Sequence, residues 1–326
     1  MDEKIKNLLE KQHYKPVGNH SAVQICRWTK KSIRDEGVCY KEKFYGIKSH
    51  QCCQMTPSLW CPNSCVHCWR AIEFTTGKKI PEKIDSPSEI IENSIKAQRK
   101  LLEGFKILPK TKYKTLSKAN MKKWEEAQEP MQFAISLSGE PILYPHLGEL
   151  IQELRKRKKT SFLVTNGLYP NVLKKLFEKN QLPTQIYISV NTSNKKDYKK
   201  FHRSLEKNAW EKLNQSLKLI PELNKKTRTV FRINLIRGLN MSEKNILGFS
   251  EMIKKSKPLF VELKGFMSVG FSRRRLGYEK MPDENEMKIF AEKLAEKTGL
   301  KILDCHEFSR AWVLGKEKEK LKIKRN

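Results

Sequence analysis

The chain has 326 residues, 38% of them hydrophobic, which is enough for a real core in one large α/β barrel or two modest domains. No apolar run reaches membrane-spanning length and Met1–Lys4 does not begin a signal peptide, so we expect a cytoplasmic protein rather than a secreted or membrane protein. The formal net charge of +30 favours a polyanionic partner such as nucleic acid, although a generally lysine-rich surface would explain part of it.

Cysteines dominate the N-terminal region. Glu3–Tyr14 predicts a short charged helix, and Ser21–Thr29 is too polar to predict a strong strand. Seven of the eight cysteines then lie between Cys26 and Cys68. Such crowding suits disulfides in a small secreted chain, but this chain is neither, so metal binding is the better interpretation.

Cys61, Cys65 and Cys68 form the principal triad. Their spacing lets three thiolates hold three irons of a [4Fe-4S] cluster and leaves the fourth iron open for a substrate. A cluster that only transfers electrons takes four thiolates, and a structural zinc ion takes four ligands. His67 is the candidate fourth zinc ligand, but as the direct neighbour of Cys68 it would give poor tetrahedral geometry.

Three further cysteines, the upstream triad, precede this motif at equal intervals. Cys26, Cys39 and Cys52 are separated by twelve residues each, which predicts a second cluster, again with an open iron. Cys53 leaves the choice of third ligand open between itself and Cys52. The alternative is that these thiols are reduced, buried and structural.

The segment after the cysteines predicts a linker, a helix and a basic stretch. Ser86–Glu89 is a good helix start, followed by apolar residues at approximate helical spacing. Lys110–Lys123 is strongly basic and poorly patterned. It is either a surface insertion that contacts RNA or a solvated loop.

From residue 131 onward, apolar strands alternate with helical stretches. The predicted strands are Met131–Leu137, Ser161–Thr165, Gln185–Val190, Val230–Ile236, Phe260–Lys264 and Leu300–Asp304, with a helix over His146–Lys158 and a frayed helix from Lys316. This alternation predicts a parallel sheet, and polar residues at strand carboxyl ends mark the active face of a barrel. Four such polar residues are candidates for binding a ligand, with ordinary loop capping as the alternative: Asn166, Ser189, Asn191 and Arg232.

Two features together resemble radical S-adenosylmethionine (SAM) enzymes. One is the principal triad; the other is Ser138–Pro141, which is similar to the Gly-Gly-Glu-Pro turn of that superfamily with Ser138 in place of the first glycine. The resemblance implies that the open iron chelates SAM, that Gly139 permits a tight turn beneath it and that Glu140 supports the turn. It also implies that the four polar residues hold the carboxylate, ribose and adenine of SAM. His67 stands where the superfamily usually has an aromatic residue.

The implied fold is α/β, an incomplete (β/α)6 TIM-like barrel with basic peripheral elements. We expect residues 1–45 to contribute ligands of the second cluster and residues 46–283 to form the radical SAM core. Residues 284–326 are expected to form a C-terminal helix and strand with a basic tail.

Longer stretches narrow the resemblance to the archaeal tRNA 4-demethylwyosine synthases of the wybutosine pathway. The stretches are Cys39–His50, Cys52–Pro57, the principal triad with Trp69-Arg70, and Lys264–Leu276. The resemblance implies two [4Fe-4S] clusters, with Cys26, Cys39 and Cys52 holding the second. It implies a monomer that uses an external electron donor, ferredoxin or flavodoxin.

The same resemblance implies a reaction in which pyruvate is condensed with N1-methylguanosine of tRNA(Phe). A deoxyadenosyl radical abstracts hydrogen from the N-methyl group, and the carbon radical attacks pyruvate with loss of the carboxyl carbon and closure of a third ring. Lys41 is the candidate for a Schiff base with pyruvate, and Lys43 stays open as the alternative. The run Arg273, Arg274 and Arg275 suits RNA phosphates or stacked bases, with a solvated basic loop as the other interpretation.

Two alternatives come from other classes of function. A radical SAM enzyme that acts on a protein or a small molecule would cleave SAM but show no salt-dependent affinity for tRNA. A non-catalytic iron–sulfur or zinc RNA-binding protein would share the charge and the cysteines but would not need the Ser138–Pro141 turn.

Overall fold

The computed structural model describes residues 1–106 and 119–324. The chain divides into two compact units: unit 1 comprises Met1–Leu59, Ile80–Phe162 and Lys322–Asn326, and unit 2 comprises Trp60–Lys79 and Leu163–Leu321. Most of the basic stretch predicted over Lys110–Lys123 lies outside the described residues. The three-part division at residues 45 and 283 stays a prediction. Within the described ranges, no helix has both the length and the apolar character needed to span a membrane.

Unit 1 combines a parallel strand pair with an antiparallel hairpin. Its strands are β1 (Lys15–Val17), β2 (Ser21–Gln24), β3 (Cys52–Thr56), β4 (Gln132–Ile135) and the first half of β5 (Thr160–Thr165), and its helices are α1 (Glu3–Lys11), α2 (Arg27–Ile33), α3 (Tyr40–Tyr45), α5 (Pro87–Leu102), α6 (Met121–Ala127) and α7 (Leu147–Lys156). β3 and β4 are parallel, whereas β2 pairs antiparallel with both β1 and β3. The upstream triad and the Ser138–Pro141 turn both belong to this unit.

Local sequence explains how two of these elements begin. The predicted helix start is confirmed, because the Glu89 carboxylate accepts a hydrogen bond from the Ser86 N–H at 2.9 Å while Ser86 Oγ accepts one from the Glu89 N–H at 3.4 Å. Gly18, at φ +55°, turns the chain between β1 and β2. The expectation that Ser21–Thr29 lacks a strong strand is wrong over Ser21–Gln24, because neighbours on both sides pair with β2 and bury it.

Unit 2 carries the principal triad and a mostly parallel set of strands. Its strands are β6 (Gln185–Ser189), β7 (Arg228–Leu235), β8 (Phe260–Gly265), β9 (Lys301–His306) and β10 (Ala311–Gly315), and its helices are α4 (Ile72–Thr75), α8 (Pro170–Glu178), α9 (Lys195–His202), α10 (Ala209–Lys218), α11 (Ile220–Leu223), α12 (Glu243–Ser256) and α13 (Glu284–Thr298). β6, β7 and β8 are parallel. β10 pairs antiparallel with β8 and with β9. Sheet strands with helices between them are the α/β arrangement that the sequence predicts.

Two predictions near the C-terminus need correction. The predicted strand Leu300–Asp304 continues through His306, because Cys305 and His306 pair with β10, which the sequence analysis does not anticipate. The tail from Lys316 was expected to be a frayed helix, but its described part contains a single 3-10 turn over Lys318–Lys320. Lys316, Lys320 and Lys324 are spaced four residues apart, so their like charges would repel one another along one face of a longer helix.

Candidate active site

The loop that carries the principal triad, Cys61–Cys68, is held by backbone hydrogen bonds on both sides. At its start, the Cys61 N–H donates to the Thr75 carbonyl at 3.1 Å. Further along, the Ser64 N–H donates to the His202 carbonyl at 2.9 Å, and the Val66 N–H donates to the Phe201 carbonyl at 3.0 Å. The C-terminal end of α9 therefore anchors the middle of the loop, and the cysteine side chains are presented from a fixed backbone.

A buried guanidinium, that of Arg70, lies beside the three cysteines. Arg70 is 4% exposed and donates to the carbonyls of Asn63 and Thr75. Burial by itself would lower the pKa of Arg70, but the neighbouring thiols of Cys61 and Cys68 outweigh it and raise that pKa. A permanent positive charge at this position favours thiolates over thiols, which is what iron ligation requires.

The thiols themselves receive hydrogen bonds. Cys61 Sγ accepts from the Asn63 N–H at 3.4 Å and from Asn166 Nδ2 at 3.8 Å. Cys65 Sγ lies 3.1 Å from Nδ1 of His202. Burial raises the pKa of the Cys65 thiol, and Cys68 adds to that effect. Without a metal, two like thiolates side by side in a desolvated loop are costly, so the arrangement suits a cationic centre that takes up their charge.

Burial lowers the pKa of two histidines, one within the loop and one beside it. Burial lowers the pKa of His67 to about 4, with a smaller contribution from Arg275, and burial lowers that of His202 to about 3. The ring of His67 packs against Phe201 with centroids 5.0 Å apart. Three buried polar groups here have no hydrogen-bond partner among the described residues: the side-chain amide of Asn63, His67 Nδ1 and His202 Nε2. Orphaned polar groups of this kind are typical of a site built for a bound group.

The upstream triad converges in unit 1. Cys26 and Cys39 precede α2 and α3, and their sulfurs accept hydrogen bonds from Thr29 Oγ1 at 3.7 Å and from the Lys41 N–H at 3.5 Å. Burial raises the pKa of the Cys52 thiol, the thiol of Cys26 raises it further, and Lys41 opposes the rise. These mutual effects require the sulfurs of Cys26, Cys39 and Cys52 to lie near one another and near Lys41.

Cys53 differs from Cys52 in its surroundings. It is fully buried, and burial raises the pKa of its thiol while Lys159 opposes that rise. Alternation along β3 places Cys52 and Cys53 on opposite faces of the strand. This geometry supports Cys52 as the third ligand of the upstream triad.

The two candidate lysines also differ in their surroundings. Lys41 is 8% exposed and its Nζ lies 5.4 Å from the ring centroid of Phe162, whereas Lys43 is exposed on the same helix α3. Lys41 is therefore shielded from solvent beside the upstream triad, whereas Lys43 is not.

The backbone of the Ser138–Pro141 turn passes close to the backbone of Ser58 and Leu59. Gly139 has φ +70°, and a β-carbon there would lie 2.0 Å from the Ser58 carbonyl oxygen. Thr56 Oγ1 lies within 2.6 Å of the Ser138 carbonyl oxygen. Glu140 is 1% exposed and accepts a hydrogen bond from the Ile142 N–H at 3.2 Å, so its carboxylate supports the turn.

Four predicted SAM residues lie in unit 2, at or near the ends of strands. Ser189 and Arg232 are register partners in β6 and β7, and Arg232 is also the partner of Glu262 in β8. Arg232 Nη1 lies 3.1 Å from the buried carboxylate of Glu262. Asn166 Oδ1 accepts from the Leu168 N–H at 3.0 Å, a loop cap, while its amide reaches Cys61.

Asn191 also has a structural contact. Its Oδ1 accepts from the Asn234 N–H at 3.0 Å, and its side chain is 4% exposed. The roles of these four residues toward SAM stay predictions.

The three consecutive arginines do not act alike. Arg273 and Arg274 are exposed, and each lies over an aromatic ring, of Tyr278 at 5.8 Å and of Phe271 at 4.7 Å. Arg275 instead turns inward, where Nη2 donates to the carbonyls of Cys68 and Arg70. Two guanidiniums are thus presented to solvent, and the third clamps the end of the triad loop.

The residues fit the cofactors that the sequence predicts. Each triad brings three thiols together, with Arg70 beside the principal triad and Lys41 beside the upstream one, and a β-carbon at Gly139 would overlap the backbone. Among the residues that the structure describes, no three His, Cys, Asp or Glu side chains are grouped to ligate a single metal ion. A cubane cluster differs from a zinc ion in this respect, because it takes each thiolate on a separate iron.

Sequence reasoning misses several residues of this site. Arg70 appears there only as part of a matching stretch, and His202 and Asn63 are not singled out. The position two residues after the third cysteine is a signal that could have indicated Arg70. His202 lies 137 positions from Cys65, so no local pattern could have joined them.

Comparison with known proteins supplies independent findings. The radical SAM superfamily profile matches residues 55–249, and a profile for wyosine base formation matches residues 255–316. The S-adenosyl-L-methionine-dependent tRNA 4-demethylwyosine synthase of Pyrococcus abyssi (strain GE5 / Orsay) is 44% identical over 312 residues, covering 95% of this chain and 88% of that protein. The protein of the same description from Methanocaldococcus jannaschii is 36% identical and covers 99% of each chain. A solved structure of TYW1 with a lysine-pyruvate adduct bound has a TM-score of 0.84 at 35% identity, covering 99% of this chain and 98% of that one.

Proposed function

Because this chain belongs to the tRNA 4-demethylwyosine synthase family of radical SAM enzymes, we infer that it modifies tRNA by forming 4-demethylwyosine with SAM and two [4Fe-4S] clusters. Family membership favours an enzyme over the binding-protein alternative and a tRNA substrate over a protein or small molecule. The observation that carries the chemistry furthest is the buried Lys41 beside Cys52 of the upstream triad.

We propose that Cys61, Cys65 and Cys68 hold the cluster that binds SAM. When reduced, that cluster and its bound SAM supply the deoxyadenosyl radical. For that cluster the chain contributes a fixed loop and the buried positive charge of Arg70. The Gly139 turn is assigned to SAM by the family resemblance. Ser189 and Arg232 lie side by side on adjacent strands, where they would orient the polar groups of SAM. Glu140 holds the turn, and Asn166 and Asn191 complete the proposed SAM-binding set.

We propose that Cys26, Cys39 and Cys52 hold the second cluster and that Lys41 binds pyruvate covalently. The neutral Lys41 amine attacks the keto carbon of pyruvate, water leaves, and an imine joins the lysine nitrogen to that carbon. The solved relative with a lysine-pyruvate adduct supports this chemistry, since it shares the fold at a TM-score of 0.84. The Phe162 ring excludes water from one side of the amine.

The tRNA is proposed to dock on the exposed arginines. Arg273 and Arg274 present guanidiniums beside aromatic rings, a combination that binds phosphates and stacks on unpaired bases. The net charge of +30 adds long-range attraction for the polyanion. The specific target, N1-methylguanosine in tRNA(Phe), is part of the proposal. So are an external ferredoxin or flavodoxin as donor, a monomeric state and a cytoplasmic location.

The test uses anaerobically reconstituted protein with SAM, pyruvate, a reductant and tRNA(Phe) that contains N1-methylguanosine. Nucleoside mass analysis should detect 4-demethylwyosine from the native chain and from Lys43→Ala but not from Lys41→Ala. Borohydride added with pyruvate should trap a reduced adduct on Lys41. An adduct on Lys43, or full product formation by Lys41→Ala, would refute the assignment of Lys41. Formation of deoxyadenosine without modified tRNA would show that SAM is cleaved but that the substrate is another molecule.

A further inference from the structure

One polar contact of the principal triad lies outside the cysteine motif. Nδ1 of His202 lies 3.1 Å from Cys65 Sγ, and His202 is 3% exposed. A thiolate bound to iron carries no proton, so a hydrogen bond between these two atoms requires the proton on Nδ1. The contact is then an N–H···S hydrogen bond from the imidazole to the cysteine sulfur.

The imidazole is fixed relative to the sulfur. The carbonyl of His202 accepts a hydrogen bond from the Ser64 N–H at 2.9 Å. His202 therefore both anchors the loop backbone at Ser64 and contacts the sulfur of the next residue, Cys65. The Tyr198 ring packs against the imidazole with centroids 4.4 Å apart, and Phe201 lies on the same helix with centroids 5.1 Å away. The donor therefore has little freedom to turn away from Cys65.

A role in packing alone does not explain an imidazole at this position. Burying a polar ring is costly unless it is hydrogen-bonded, and within the described part of the chain Nε2 of His202 has no partner. The Cys65 contact is thus the interaction that offsets the burial of this ring. A phenylalanine would fill the same aromatic cluster without an orphaned nitrogen.

We propose that His202 is a positioning residue that raises the reduction potential of the SAM-binding cluster by hydrogen-bonding Cys65 Sγ. This rests on the proposed function, in which Cys65 is an iron ligand. An N–H donor draws electron density from the thiolate sulfur, which stabilises the reduced, more negative state of the cluster. Arg70 acts in the same direction through its charge, whereas His202 acts through a single directed bond.

The experiment is a redox titration of the full-length reconstituted holoenzyme, followed by electron paramagnetic resonance. Adding SAM changes the signal of the cluster that binds it, which separates that cluster from the second one. The variants are His202→Phe, which removes the donor, and His202→Gln, which keeps an N–H donor on a flexible chain. The control is His146→Phe, at an exposed histidine of unit 1.

We expect the midpoint of the SAM-sensitive signal to move to a more negative potential in His202→Phe, by less in His202→Gln, and not at all in His146→Phe. If His202→Phe loses iron, the shift in His202→Gln decides. Unchanged midpoints in both His202 variants would overturn this inference while leaving the proposed function intact. Failure of the proposed function is separately visible, because Cys65→Ala would then keep the SAM-sensitive signal, and that outcome overturns both.

Discussion

Gly139→Ala provides a quantitative test of the proposed SAM turn. Gly139 has φ +70°, and an added β-carbon would meet the Ser58 carbonyl oxygen at 2.0 Å and the Leu59 carbonyl carbon at 2.7 Å. Both atoms belong to backbone, so neither can move as a side chain would. The substitution therefore adds backbone strain and an overlap that only a shift of the turn can relieve.

Gly299 is the control for the backbone strain alone. It also has φ +70°, at the C-terminus of α13, but an added β-carbon there would meet nothing within 4 Å. Left-handed backbone costs an alanine roughly 1–2 kcal/mol, and overpacking costs about 1–3 kcal/mol more. The free energy of unfolding should thus fall by the strain alone in Gly299→Ala and by about 2–5 kcal/mol in Gly139→Ala.

Urea unfolding of the two variants and the native chain measures these losses, and SAM binding to the reconstituted proteins measures the functional effect. Gly139→Ala should be destabilised more than Gly299→Ala by about 1–3 kcal/mol and should bind SAM more weakly. Gly299→Ala should keep native SAM affinity. Equal destabilisation of the two variants would refute the close backbone approach at Gly139, and native SAM affinity in Gly139→Ala would refute its role beneath the cofactor.

The remaining predictions concern pH and the arginine run. Hydrogen bonds from Lys48 and His50 lower the pKa of Glu126 to about 2, so its stabilising effect is present above the ordinary carboxyl pKa of about 4.3 and is lost as pH falls toward 2. Glu126→Gln should therefore reduce resistance to urea more at pH 7 than at pH 3. The control Glu125→Gln, at the exposed neighbouring position, should show no such pH-dependent loss. An equal loss of stability at both pH values in Glu126→Gln would contradict the link between the pKa of Glu126 and stability. Arg274→Ala should weaken tRNA binding and lower its salt slope by about 1 while keeping full iron content, whereas Arg275→Ala should lose iron from the triad loop. Identical iron content in both would contradict the clamp.

Local signals explain which elements could be predicted from the sequence. The helix start at Ser86 needs only residues three positions apart, and β4 to β8 are apolar runs whose type does not depend on their neighbours. β1 and β2 are short, and the polar Ser21 is buried only because strands pair with β2 on both sides. Their stability comes from long-range pairing, which a propensity argument does not contain.

The same distinction applies to the site. Cysteine spacing predicts both triads, because ligation by one cluster demands three thiols whatever the fold around them. The environments of Cys61 and Cys65 also depend on residues far away in the sequence, Asn166 and His202. The family resemblance selects Lys41 and leaves Lys43 open as the alternative. In the structure, α3 buries Lys41 beside Cys52 and exposes Lys43, a difference that their positions in the sequence do not reveal.

The arginine run shows how a uniform sequence feature divides in three dimensions. Arg273, Arg274 and Arg275 look equivalent as a stretch of positive charge. The 3-10 turn over Gly270–Arg274 sends successive side chains in different directions, since consecutive residues on a helical turn do not share a face. Arg275, just beyond the turn, reaches the Cys68 carbonyl, while the two before it stay in solvent. An RNA that binds Arg273 and Arg274 would therefore lie next to Arg275, the residue that holds the end of the triad loop.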